Sequence, residues 1–162
     1  LARRVIQLAA DFSVIDMLPH AVEAALWPGE FANAIAADVL RLAFELEDAI
    51  LAYDPAAAAH AETPPIDPAF ARRAAVNVLN QSLTSYTPEQ PPELLQALLL
   101  LVPGDEPALW DALNNTLHPA HQALQTTLRT SRCRGALAVL ARALSDTRTP
   151  SSVVAIAAER AD

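Results

Sequence analysis

The chain has 162 residues, a length that fits one domain with a single sizeable core. Hydrophobic residues make up 52% of it and glycine only 3 positions, which excludes a disordered or collagen-like chain. The formal net charge of -8 argues against a nucleic-acid footprint, which needs a basic stripe facing the phosphates, and against an anionic membrane surface on the same ground.

Alanine and leucine supply most of the hydrophobic fraction, and aromatic residues only 5%, so helix is favoured over sheet before any pattern is read. Every basic residue is an arginine. Arg129, Arg132 and Arg134 form the one basic concentration; it is short and without interleaved aromatics, which suits a solvated helix end or the acidic patch of a partner. The single Cys133 rules out an internal disulfide and points to a reducing, cytoplasmic compartment. The longest apolar run, residues 97–102, is far too short to span a bilayer, so no membrane insertion is expected. The opening Leu1-Ala2-Arg3-Arg4 has no initiator methionine, and the expectation is a single helical domain, residues 1–162, belonging to a larger protein.

Thirteen prolines divide the chain, because proline deletes a hydrogen bond and clashes inside a helix. Residues 1–18 carry Val5, Leu8, Phe12, Ile15 and Leu18 at helical spacing, and this line is the expected buried face. Pro19 opens a short second helix to Trp27, and Trp27-Pro28-Gly29 reads as a turn. Residues 30–53 form the strongest helix, with the stripe Phe31, Ile35, Val39, Leu42, Leu46, Ala49 and Tyr53. Leu40, Phe44 and Leu51 make a second apolar line that should widen its buried face.

Residues 54–67, with Pro55, Pro64 and Pro65, read as a long mobile loop holding at most a stray turn at Ala56 to Ala59. Asp67 caps a fourth helix that starts at Pro68, runs to about Leu83 and should bury Phe70, Ala74, Val78 and Leu83. After a break at 85–92, a fifth helix over 92–102 ends apolar on every side, and Pro103-Gly104-Asp105 closes it. Leu109, Leu113 and Leu117 begin a stripe that continues past Pro119 to Leu124 and Leu128, which leaves one kinked helix or two abutting ones. Residues 135–144 add Leu137, Leu140 and Leu144. A break at 147–150 precedes a last helix capped by Ser151 or Ser152. The segments are unequal and show no repeat, so the expected fold is all-α, an irregular helical bundle of about eight or nine helices.

Few groups look equipped for chemistry. His118 and His121 share a helix face and are the only candidates for a metal pair, with Cys133 or Asp111 as a further ligand; Pro119 between them and the lack of a second ligand pair favour a structural role, and no metal or other cofactor is expected. Glu45, Glu47 and Asp48 lack the Glu-x-x-His partners of a carboxylate metal site and read as a solvated helix side. Cys133 between two arginines near a helix start has the setting of a thiolate, but sequence places no imidazole beside it. Trp27, Trp110, Tyr53 and Tyr86 are candidates for a pocket between helices or for ordinary core.

The surplus of apolar helix surface is therefore the functional signal. It predicts a non-catalytic protein-interaction or scaffolding module, binding a partner or a second copy, with Leu98, Leu99, Leu101 and Val102 as the anchor set. A small-molecule-binding sensor domain is the alternative, and a fragment of an enzyme whose catalytic residues lie elsewhere is the third option.

Overall fold

A computed structural model describes residues 1–102, 106–145, 149 and 151–161. Among them are ten α-helices and no strand: α1 (Ala2–Asp11), α2 (Leu18–Leu26), α3 (Ala32–Ala52), α4 (Pro55–His60), α5 (Pro68–Thr84), α6 (Pro92–Leu101), α7 (Pro107–Asn114), α8 (His121–Thr130), α9 (Arg134–Ser145) and α10 (Ser151–Ala161). The all-helical bundle expected from the prolines is the fold.

Prolines start the helices, as their fixed φ and missing N–H allow. α2, α4, α5, α6 and α7 each have one in the first turn. Aspartates supply two N-caps. Asp54 Oδ1 accepts the N–H groups of Ala56 and Ala57 at 2.9 and 3.3 Å, and Asp67 Oδ1 accepts that of Ala69 at 2.9 Å. The C-terminal end of α8 is closed by a distant side chain, as Arg160 of α10 donates to the carbonyls of Leu128 and Ser131.

The helices form two rows with the core between them. One row runs α1, α3, α6, α9, each packed on the next; the other runs α2, α5, α7, α8, with α10 packed on both α8 and α9. α2 pairs with α3 and α5 with α6 across the rows, so α6 has neighbours on both flanks and behind. The channel described below is a product of this placement.

Several expected boundaries and faces differ from the sequence reading. The first segment breaks after Asp11. Ser13 adopts φ 53°, Val14 N–H bonds Ala9 C=O at 2.8 Å and Ser13 N–H bonds Ala10 C=O, a Schellman ending with serine where glycine is usual. A 3-10 turn (Ile15–Met17) then leads into α2. The buried face of α1 is Ile6, Ala9 and Ala10, while Val5, Leu8 and Phe12 lie outside. A partial exchange occurs in α5, where Ala71, Ala75, Val76 and Leu79 go inward and Phe70 stands exposed beside Arg73, while Leu83 is buried as expected and Val78 packs partly on the core. It recurs in α9, which buries Gly135, Ala136, Val139 and Leu140 and leaves Leu137 and Leu144 outside. Small residues let helix axes approach closely, and the larger side chains then flank the contact.

The connection at 54–67 is not structureless, since α4 occupies Pro55–His60. Residues 115–120 separate α7 from α8, so the stripe across Pro119 belongs to two helices, and Leu117 in the turn is exposed. The expected turn at 103–105 lies outside the described residues, as does most of the break at 147–150.

Candidate binding surface

The residues first expected to anchor a partner are interior. Leu98 and Leu99 are 0% exposed, Leu101 3% and Val102 6%. α6 is apolar all round because the chain itself surrounds it, so the leucine run is core; Leu101 and Val102 only edge a surface depression. The anchor expectation is corrected on this point.

Apolar surface is left elsewhere, on the outward side of α3. Residues 40, 44, 47 and 51 follow steps of four and three and line one face. Leu40 is half-buried, Phe44 is 46% exposed and Leu51 61% exposed. Of this second line, expected to widen the buried face, Leu40 does pack partly on the core, while Phe44 and Leu51 stand exposed beside a channel.

Two separate depressions lie along α6, between α3 and the stretch from the end of α8 into α9, less than a turn apart along α3, and together they are called the channel. The upper, of about 510 Å³, has Leu40 and Phe44 on one wall, Gln96 of α6 at its base, and Arg132 and Cys133 opposite. The lower, of about 270 Å³, has Glu47 and Leu51 on the α3 side, Leu100 of α6, Arg134 and Gly135 of α9, and Arg72 of α5. Gly135 is why α9 can lie so near α6. A Cβ built there would sit 1.3 Å from the carbonyl oxygen of Leu99 and 2.3 Å from its carbon. Sequence reasoning gave Gly135 no role, although a glycine inside a helix is a signal of close backbone approach.

The channel is also charged differently from the chain. Arg72, Arg132 and Arg134 line it and form no ion pair among the described residues, while the arginines that do pair, Arg41 with Asp11 at 2.6 Å and Arg129 with Glu159 at 3.6 Å, lie elsewhere. Glu47 is the one acid of the lining. Burial raises its pKa above the ordinary carboxylate value, Arg134 opposes that shift and Asp48 adds to it.

Cys133 occupies the N-terminal end of α9. Its Sγ accepts the N–H of Ala136 at 3.4 Å, and its own N–H donates to Ser131 Oγ at 3.3 Å. The sulfur thus acts as a helix cap, and no histidine stands among the residues lining its depression.

The other candidates are dispersed. His121 Nδ1 lies 3.1 Å from Ala112 C=O and its Nε2 3.0 Å from Gln125 Nε2, while Gln125 also donates to Ser152 Oγ. A neutral ring with the proton on Nδ1 satisfies all three groups. His118 Nδ1 accepts the N–H of Ala120 at 3.1 Å. Both imidazoles therefore tie turns and helices together, and the described residues bring no three metal-ligating side chains into one group.

Of the four large aromatics, Trp110 packs on the core with the Arg142 guanidinium 5.5 Å from its ring, Trp27 is exposed beside a cleft of about 290 Å³, and Tyr86 is half-buried with its phenol pKa raised by burial and by Glu89. Tyr53 alone borders a wide apolar cavity, of about 520 Å³, between the end of α3, α4 and the segment after it. No helix of the described residues is long and apolar enough to cross a membrane. Comparison with known proteins brings no match to a family model, to a curated protein or to a solved structure, so the functional reading rests on this geometry.

Proposed function

We propose that this chain is a non-catalytic protein-interaction module that seats a helix of a partner in the channel along α6. The observation that supports the reading is the exposure of Phe44 and Leu51, which with half-buried Leu40 form an apolar line at helical spacing beside a recessed helix. Apolar groups collected in this way mark interaction surfaces, and an aromatic at the centre of such a line is the usual energetic anchor. The test is a titration of the 15N-labelled chain with a synthetic amphipathic helix carrying leucines on one face and glutamines on the other. Amide shifts confined to α3, α6 and the start of α9, and lost in Phe44→Asp, are the expected result. Shifts elsewhere, or none, sink the reading.

Self-association is the other form of the same activity, favoured by Val5, Leu8 and Phe12 on the outside of α1. Light scattering across the micromolar range checks it: a dimer should appear with concentration and vanish in Leu8→Glu. A strictly monomeric wild type removes the homotypic form and leaves the channel reading to stand on the titration.

A small-molecule sensor is the second reading, favoured by the cavity at Tyr53. Its volume of about 520 Å³ lies within the range of ligand pockets, and its walls are mostly alanine, isoleucine and proline with the Tyr53 phenol and the Asp54 carboxylate. A thermal-shift screen with neutral apolar compounds should raise the melting temperature, and filling the cavity with Ala57→Trp should cancel the rise. No shift with any compound removes this reading.

A further inference from the structure

The charge of the channel says what kind of helix it accepts. The chain carries 19 acidic residues against 11 arginines, so a solvated surface drawn from this sequence should be acidic on average. The channel is the reverse: Arg72, Arg132 and Arg134 line it with only Glu47 opposing, three positive groups against one negative. None of the three arginines forms a close ion pair with a carboxylate among the described residues, although Glu47 feels the charge of Arg134. Their positions are also ordered. Arg132 and Arg134 stand on the α9 side, Arg72 projects from α5 at the lower end, and the apolar side chains Leu40, Phe44 and Leu51 stand on the α3 side.

Resting on the interaction reading above, we infer that the channel docks an acidic amphipathic helix, with its apolar stripe against α3 and its flanking carboxylates against Arg72, Arg132 and Arg134. From residue 40 to residue 51 the α3 wall runs roughly 16 Å, which fits about three turns of a partner helix. Arginine suits this role, because its planar fork takes a carboxylate with two parallel hydrogen bonds and loses less to desolvation than lysine. The apolar wall distinguishes this surface from a phosphate-binding one, which would track a backbone with basic groups along its length. Glu47 works against the occupant, so its neutralisation should strengthen docking.

Three fluorescent peptides with the same leucine stripe and with glutamate, glutamine or lysine flanks test the inference by anisotropy, alongside a single-stranded oligonucleotide. A chain of net charge -8 attracts the lysine peptide at long range, so preference for glutamate can come only from a local positive site. The glutamate peptide should bind at least tenfold tighter than the lysine peptide and lose that advantage in high salt. Glu47→Gln should tighten it further, and Arg72→Glu combined with Arg134→Glu should invert the order. Leu8→Glu on α1 should leave all three affinities unchanged.

Equal affinity for the three peptides, abolished by Phe44→Asp, overturns the charge assignment and leaves the interaction reading intact. Failure of every peptide to bind at millimolar concentration overturns both. Tighter binding of the oligonucleotide, or glutamate-peptide binding indifferent to Phe44→Asp, places the arginines in another role and overturns the inference. If the double arginine variant loses its helical circular dichroism, Arg132→Glu alone carries the test, with a reduced preference expected.

Discussion

Along α6, Leu98 and Leu99 are sealed from water on every side, whereas along the neighbouring α3, Phe44 and Leu51 stand in solvent, although both helices read from sequence as apolar on more than one face. The difference lies in the neighbours. α6 is flanked by α3 and α9 and backed by α5 and α8, while the outward side of α3 has no helix of the described chain over it. Hydrophobicity states how much surface a helix would hide, and the topology decides which of it is hidden. An apolar line that the topology leaves over is the surface on which the proposed partner would sit.

The strongest way to break this contrast is at Gly135, which holds α9 against α6. The added methyl of Gly135→Ala would meet the Leu99 carbonyl at 1.3 Å, and neither backbone can turn aside as a side chain would. α9 has to retreat, uncovering Leu98 and Leu99. A loss of at least about 3 kcal/mol is expected in urea unfolding, beyond ordinary overpacking because rigid atoms collide. A change under 1 kcal/mol would show that α9 does not seal α6.

Leu98→Ala attacks the same side of the contrast without moving a helix. Its side chain is fully enclosed, so truncation leaves a cavity, and the expected cost is about 2–5 kcal/mol by the same measurement. That is a large fraction of the roughly 5–15 kcal/mol that stabilises a domain.

Phe44→Ser supplies the other side. The ring is almost half in water, so its removal should change stability by about 1 kcal/mol or less while abolishing peptide docking in the channel. A cost like that of Leu98→Ala would mean that the ring belongs to the core, and the binding surface would disappear with it.

The comparison also measures what the sequence carried. The helices α3, α5 and α6 were legible to within a few residues. Proline in the first turn fixes where α5 and α6 start, with an Asp67 cap for α5, while α3 has neither and is legible from its long apolar stripe. Which side of a helix faces inward was far less legible. In α1, α5 and α9 the pattern of large apolar residues pointed to one face, and apart from Leu83 and Leu140 the structure buries another, built on Ala9 and Ala10, Ala71 and Ala75, or Gly135 and Ala136. Alanine is apolar but small, so it contributes little to a periodicity count and much to how closely two axes approach. The apolar surplus itself is visible, yet a run of leucines points it to Leu98 and Leu99, whereas the line of half-buried Leu40 and exposed Phe44 and Leu51 is spread over three turns. Arg132 and Arg134 were noted as a cluster from the start; Arg72 joins them only because α5 comes back alongside α3.

The smallest effect separates the channel from the core by pH. Glu47 holds its proton more tightly in the folded chain than an unfolded glutamate does, because burial disfavours the carboxylate more than Arg134 favours it. A folded pKa above the unfolded one means that the native state binds more proton through that interval, so stability falls as pH rises across it. Below the ordinary carboxylate range both states are protonated and Glu47 costs nothing; at neutral pH both are ionised and the full cost remains. Glu47→Gln should accordingly be indistinguishable from wild type in strong acid and slightly more stable at neutral pH. The gain should be no more than roughly a few tenths of a kcal/mol, since the side chain is only partly buried and Arg134 offsets some of the cost. Parallel urea curves at the two pH values check it. A gain of the opposite sign would mean that Glu47 and Arg134 form a favourable pair. The positive charge assigned to the channel would then be already satisfied within the chain, and the acidic partner would have less to bind.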